Sequence, residues 1–353
     1  KRMENWVHLT CSLIPGRRRM MMNTMNLRST IKKLFLAGAV LCLAGTLLAQ
    51  DPQFTQFFAN KLYLAPSFAG STKQQRIVSM YRNQWAGIPG GFNTMSFSYE
   101  YFFPNFNSGL GVLVLRDMAG SGRLGMTNAG VLYSYDFQIF EEWHVRPGLH
   151  FLYSMYGIDF YRLRFYDQLV TGNGTTFEDP PAQENIGAFD ASTSVLVYSN
   201  SVWAGAAVDH LFRPDQSFYA NKAVVPMKFS FFGGFQIIRQ GKLLKPIDET
   251  VSLAYLFRLQ QNKKQLDIGL YWNKVPLVLG FWYRGIPPFN SERGDALAML
   301  VGFKMKGLSI GYSYDFTISN LVSSTHGAHE ISMSFDFQTN RKKKIHAIPC
   351  PEF

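Results

Sequence analysis

Leu308-Ser-Ile-Gly-Tyr-Ser-Tyr-Asp-Phe-Thr-Ile318 alternates strictly between apolar and small polar residues. Leu308, Ile310, Tyr312, Tyr314, Phe316 and Ile318 fall on one face, and Ser309, Gly311, Ser313, Asp315 and Thr317 on the other. Side chains repeat every two residues only in an extended strand, so the stretch predicts a strand with one apolar face. The pattern recurs on both sides of it. Met95, Phe97, Tyr99 and Tyr101 oppose Ser96, Ser98 and Glu100, and Ile331, Met333, Phe335 and Phe337 oppose Glu330, Ser332, Ser334 and Asp336.

The kind of residue on each face identifies the solvent. A soluble sandwich shows Lys, Glu and Thr to water. Here the polar face is rich in Ser, Gly, Asp and Asn, which suit a crowded interior, and the apolar face is long and aromatic toward its ends. Open sheet edges cannot exist in hydrocarbon, so such a sheet must close on itself. Counting alternating segments gives 14 strands, from Ile77–Gln84 to His329–Phe337, an even number. The expected fold is all-β: a transmembrane antiparallel barrel over residues 76–338, with both of its ends in the periplasm.

Connections support this count. Lys306-Gly307 and Asn273-Lys274 read as tight periplasmic turns. The Gly/Asn/Pro-rich stretch Tyr166–Ala188 and the Pro287-Pro288 segment within Arg284–Asp295 read as extracellular loops.

Only one run approaches the apolar length of a membrane helix, Leu34–Ala49, and it sits at the front. Arg28, Lys32 and Lys33 precede it and Gln50-Asp-Pro52 follows, so residues 1–49 read as an upstream extension plus a cleavable secretory signal; an anchor helix is the alternative. The net charge of +11 changes meaning with that reading. Residues 1–49 carry eight of the 35 basic and one of the 24 acidic residues, leaving 27 against 23, about +4. Nucleic-acid binding is not indicated. Cys11 and Cys42 leave with the leader, and Cys350 alone cannot build a disulfide framework.

No catalytic, cofactor or metal centre emerges. His144, His150, His210, His326, His329 and His346 are scattered, and the His326/His329 spacing is a weak metal signal. Ser201 with His210, or Ser154 with His144, are the pairs that an outer-membrane hydrolase could use, but no motif singles them out. Two segments remain unassigned by the barrel. Gln50–Gln75, dense in Phe and Tyr, is a candidate plug or periplasmic docking arm. The tail 339–353, with Arg341, Lys342, Lys343 and Lys344, is a solvated flank or a docking site for a periplasmic partner.

The ordered set Gln50-Asp51-Pro52-Gln53-Phe54-Thr-Gln-Phe-Phe-Ala-Asn60, Leu62-Tyr-Leu-Ala-Pro-Ser-Phe-Ala-Gly70 and Tyr81-Arg82-Asn83-Gln84-Trp85 closely resembles the PorP/SprF family of type IX secretion system membrane proteins of Bacteroidetes. Gly109-Leu-Gly111, Asp117-Met-Ala-Gly120, Phe165-Tyr-Asp-Gln168, Gly327-Ala-His-Glu-Ile-Ser332 and Cys350-Pro-Glu-Phe353 extend the resemblance across residues 50–353. The resemblance implies an outer-membrane barrel shaped like the fatty-acid transporter FadL. It also implies partners: outer-membrane lipid, the periplasmic ring or peptidoglycan-linked components of the secretion machine, and the C-terminal domain of a secreted, adhesin-type surface protein of the kind used in gliding. It carries no active-site motif. A FadL-like transporter of hydrophobic small molecules is the rival expectation.

Overall fold

The structure is a computed structural model that describes residues 51–219, 222–241, 247–286, 296–318, 326–337 and 348–350. Strands β1 (Gln75–Gln84), β2 (Phe92–Phe103), β3 (Ser108–Ala119) and β4 (Leu124–Tyr135) open the wall, and β5 (Phe137–Gln138) continues β4 after a break at Asp136. Then follow β6 (His144–Gly157), β7 (Asn185–Tyr198), β8 (Val202–Asp209), β9 (Lys228–Gly241) and β10 (Ile247–Gln260). The ring is completed by β11 (Lys263–Lys274), β12 (Leu277–Ile286), β13 (Ala296–Met305), β14 (Leu308–Thr317) and β15 (Ala328–Phe337). Each strand pairs antiparallel with its neighbours, β4 pairs with β6, and β1 pairs with β15, so the sheet closes into a ring. Because β5 extends β4, this is a closed barrel of 14 strands.

The opening stretch behaves as its period requires. Ile310, Tyr312 and Phe316 are exposed outward, while Ser309, Gly311, Ser313 and Asp315 are buried inside. In β13, Leu297, Met299, Val301 and Phe303 face out. An apolar exterior around the whole ring suits hydrocarbon, where a closed ladder leaves no edge unpaired. No helix among the described residues is long and apolar enough to cross a membrane, which says nothing of strands.

The ring has two unlike rims. At one, strands are joined by short connections such as Lys306-Gly307, whose φ angles of 43° and 90° fit a type I′ hairpin. At the other lie the long connections 158–184 and 210–227. We call these the turn rim and the loop rim. The expected turn at Asn273-Lys274 is displaced: both residues belong to β11, pairing with Val278 and Leu277, and the turn falls on Val275-Pro276, joined by a cis peptide bond. Proline at that position fits the type VI turn.

Gln75 pairs with Phe337, so the wall begins and ends at the turn rim, as an even strand number demands. The chain ahead of β1 does something else. From Phe54 to Lys73 every residue but Tyr63 is buried, and the segment crosses the inside of the ring from the loop rim to the turn rim.

Candidate functional site: the segment seated in the barrel

At the loop rim the segment is held by four charges. Arg82 on β1, Arg284 on β12, Asp315 on β14 and Glu330 on β15 all point inward and are buried. Arg82 Nη1 donates to Glu330 Oε2 at 2.9 Å, and its Nη2 donates to Asp315 Oδ2 at 2.8 Å. Arg284 Nη1 donates to Asp315 Oδ2 at 2.6 Å. Two positive and two negative groups cancel, which is what permits burial at all.

The segment completes this cluster. Backbone N–H groups of Thr55 and Gln56 donate to the two oxygens of Glu330, both at 2.8 Å. The Thr55 hydroxyl accepts from Arg82 at 2.7 Å and Arg284 at 2.8 Å, and donates to Asp315. Gln56 Nε2 donates to Ser313 Oγ at 3.1 Å, while its Oε1 accepts from Ser332 at 2.6 Å. Gln53 Oε1 accepts from Arg284 at 3.3 Å. Charge-assisted bonds of this kind are about twice as strong as neutral ones.

The middle of the segment is mostly apolar. Phe57 packs edge-on against Trp282 at 4.6 Å and Phe58 edge-on against Trp203 at 5.9 Å, while Phe68 lies tilted against Phe232 at 5.5 Å. Fully burying each such ring contributes roughly 1.5–3 kcal/mol. A single helical turn, Lys61–Leu64, and a 3-10 turn, Pro66–Phe68, shorten the path here. Glycines on the wall admit the close approach. A Cβ on Gly109 would lie 1.9 Å from the Ala69 carbonyl oxygen, and one on Gly148 would lie 2.2 Å from the Ser67 nitrogen.

At the turn rim a second polar cluster ends the crossing. Glu100 accepts from the Gly70 backbone N–H at 2.8 Å. Arg146 donates to the carbonyl oxygens of Ser67 at 3.1 Å and Ala69 at 2.5 Å. Asp136, at the β4–β5 break, binds the Lys73 ammonium, the His144 ring at 3.0 Å and the Tyr198 hydroxyl at 3.0 Å. The break turns the Asp136 side chain into this cluster between two strand pieces.

The residues singled out from sequence therefore divide. Pro52, Gln53 and Phe54 lie with Arg82 and Gln84 at the loop rim, where Gln84 accepts from Arg82 at 3.4 Å. Tyr81 and Asn83 instead turn away from the segment and donate to Asn93 at 2.9 and 3.1 Å. Trp85 packs on Phe92 at 5.2 Å in the turn that follows β1. Asp51 is half-buried at the start of the described chain. Arg341, Lys342, Lys343 and Lys344 lie outside the described residues. Sequence reasoning missed Arg284, Asp315 and Glu330 as a site, although an inward acid or arginine amid serines is the available signal.

The hydrolase pairs do not meet. Ser201 and His210 flank opposite ends of β8, roughly 25–30 Å apart at strand rise, and Ser154 and His144 are ten positions apart along β6. His210 and His144 face Asp190 and Asp136 instead, at 2.6 and 3.0 Å. His329 faces Tyr312 at 2.9 Å. No cluster of three metal-ligating residues occurs among the described residues.

A closed antiparallel ring with an apolar exterior and inward-facing charges is an outer-membrane-type barrel. Residues 46–335 match the family described as type IX secretion system membrane protein PorP/SprF, so the chain belongs to that family. No curated protein matches it in sequence. Its fold is similar to the Acinetobacter baumannii outer membrane protein Omp33, with 8% identity, 75% of this chain and 98% of that chain covered, and a TM-score of 0.44. It is similar also to the CymD monoaromatic hydrocarbon channel, at 9% identity, 80% and 93% coverage and a TM-score of 0.45. The P. putida toluene transporter TodX gives 8% identity, 78% and 93% coverage and a TM-score of 0.40.

Proposed function

We propose that this protein is a non-enzymatic accessory of type IX secretion that helps export, or hold at the cell surface, one secreted adhesin-type protein. Family membership over residues 46–335 carries this reading. The interior adds to it: a barrel whose axis is occupied by its own Phe54–Lys73 is better suited to anchoring and docking than to passing a folded chain. In this reading the turn rim faces the periplasm and its machinery, and the loop rim faces the cell exterior. Deletion of the gene, followed by probing whole cells for adhesin-type proteins exported by type IX secretion, tests the role. Loss of secretion or of surface retention is expected, and unchanged display would overturn it.

One observation favours a second reading. Trp203, Phe232 and Trp282 make the inner wall partly apolar, which suits a FadL-like transporter of hydrophobic small molecules. Uptake of such molecules into liposomes carrying the purified barrel distinguishes the two.

A further inference from the structure

The connection between β2 and β3, Pro104–Asn107, is longer than the two-residue turns Val275-Pro276 and Lys306-Gly307 of the same rim. Asn107 ends it with a left-handed φ of 47°. The Asp136 N–H, at the break between β4 and β5, donates to the Asn107 carbonyl oxygen at 2.8 Å, which ties the turn sideways to the end of β4. Ser108 shows the consequence. It shares strand parity with Leu110 and Val112, which point outward and are exposed, yet Ser108 itself is buried. Its hydroxyl donates to the Phe106 carbonyl oxygen at 2.9 Å and meets the Tyr133 hydroxyl at 3.0 Å. Turn and wall together form an open groove of about 620 Å³ on the outer surface. That volume lies in the range of small-molecule sites, about 300–1,000 Å³.

Phe103, Phe106, Leu110 and Tyr133 give the groove its apolar sides, the turn adds Asn105 and Asn107, and every side chain lining it is uncharged. Two features name the occupant. Leu110 and Tyr133 are cross-strand partners, and the next outward pair, Val112 and Val131, is likewise exposed. The apolar floor thus runs without a break into the wall that faces hydrocarbon, so an acyl chain enters it without crossing water. Toward the turn the chemistry changes to neutral amides and an aromatic hydroxyl, which suits the boundary between acyl chains and headgroups. Amide N–H groups donate to uncharged carbonyl oxygens such as those of glycerol esters. A phosphate would call for a cation, and none lines the groove.

We propose that this groove seats one phospholipid of the leaflet at the turn rim, with an acyl chain along Leu110 and Tyr133 and its glycerol-ester carbonyls accepting from Asn105 and Asn107. The inference rests on the lipid-facing wall and not on the secretion role, so the gene-deletion result leaves it standing.

The full-length barrel in phosphatidylcholine vesicles, doped with a trace of phosphatidylcholine bearing a diazirine on one acyl chain, tests the seat. After irradiation, adducts are mapped by peptide mass spectrometry. Ile310 and Phe335 are the controls, since both point outward from strands that meet at the Lys306-Gly307 side of the same rim. Adducts at Phe106, Leu110 and Tyr133 are expected to exceed those at the controls roughly tenfold, the preference that burying two further methylene groups supplies. Phe106 is 70% exposed, so Phe106→Ser is expected to leave the barrel folded, as heat-modifiable mobility checks, and to bring groove labelling down to the control level. Moving the label to phosphatidylglycerol is expected to change groove labelling by less than about twofold, because anionic lipid is favoured by basic side chains and the groove has none. Equal labelling of groove and controls overturns the seat, and absence of labelling at both overturns the lipid-facing wall on which it rests. Unchanged labelling in folded Phe106→Ser overturns the groove as the cause, and a larger preference for the anionic lipid overturns the ester contact. In whole cells, p-benzoylphenylalanine in place of Phe106 is expected to gain the mass of one phospholipid on irradiation; a cross-link to a protein instead overturns the lipid as occupant.

Discussion

Thr55 and Glu330 stand 275 positions apart in the chain, yet the Thr55 backbone N–H donates to the Glu330 carboxylate at 2.8 Å inside the ring. The neighbouring Gln56 N–H takes the second carboxylate oxygen, and Arg82 takes the side facing β1. One acid on the last strand thus fixes the loop-rim end of the inserted segment and neutralises an arginine on the first strand. Wall closure and segment seating share the same side chain.

Glu330→Ala removes the acceptor for two backbone donors and one guanidinium at once. Breaking a buried charged pair by deleting one partner costs about 3–5 kcal/mol. Because β15 still pairs with β1 through its backbone, the ring is expected to form while the segment around Thr55 loosens. Limited proteolysis should then cut between Pro52 and Phe58 in the variant and not in the parent. Retention of full resistance would show that the apolar contacts alone hold the segment.

Gly109→Val tests the same seating without touching a charge. Its Cβ would enter the space of the Ala69 carbonyl, which in turn accepts from Arg146 and Ser134. The segment would have to lift off the wall near Gly70, leaving the Arg146 guanidinium and the Glu100 carboxylate short of partners. Loss of thermal stability greater than the 1–3 kcal/mol typical of overpacking is expected, measured by heat-modifiable mobility against temperature.

These sites explain what could and could not be read from sequence. The 14 strands were legible because lipid on one side and small polar residues on the other impose period two, and the Leu308–Ile318 alternation forms the strand Leu308–Thr317. The sequence places this turn two residues early, at Asn273-Lys274, because Val275-Pro276 carries neither Gly nor Asn to mark it. Gly109–Leu115 is apolar on both faces, so periodicity alone could not reveal that Leu113 and Leu115 point inward onto other core residues. A polar face signals an interior but not what fills it. The even count correctly puts Gln75 beside Phe337, yet it is silent about a segment that crosses the interior before β1.

Asp167 organises the longest loop. Slight desolvation raises its carboxyl pKa, but donation from the Phe177 N–H, the Thr176 hydroxyl and nearby backbone outweighs it and holds the group below the usual carboxylate value. A depressed pKa stabilises the loop above the unfolded value of about 4, and that contribution is lost as pH falls through the folded value. Hydrogen exchange at the Phe177 amide is expected to be slow at pH 7 and to lose its protection, after correction for intrinsic rate, toward pH 3. Asp167→Asn should lack that pH dependence.

Val301 decides whether the outer face meets hydrocarbon. It points outward midway along β13, between Met299 and Phe303, and is 54% exposed. On a water-facing sheet an arginine there would be nearly neutral, since surface substitutions usually stay within ~0.5 kcal/mol. On a lipid face near the bilayer midplane it costs about 2–4 kcal/mol. Val301→Arg is therefore expected to lower the folding free energy in vesicles by that amount, while the same change at Met305, by the rim, costs about 0–1 kcal/mol. Equal, negligible effects at both positions would remove the membrane wall from this fold's account, whereas a depth-dependent loss ties the alternation of Leu308–Ile318 and its neighbours to lipid.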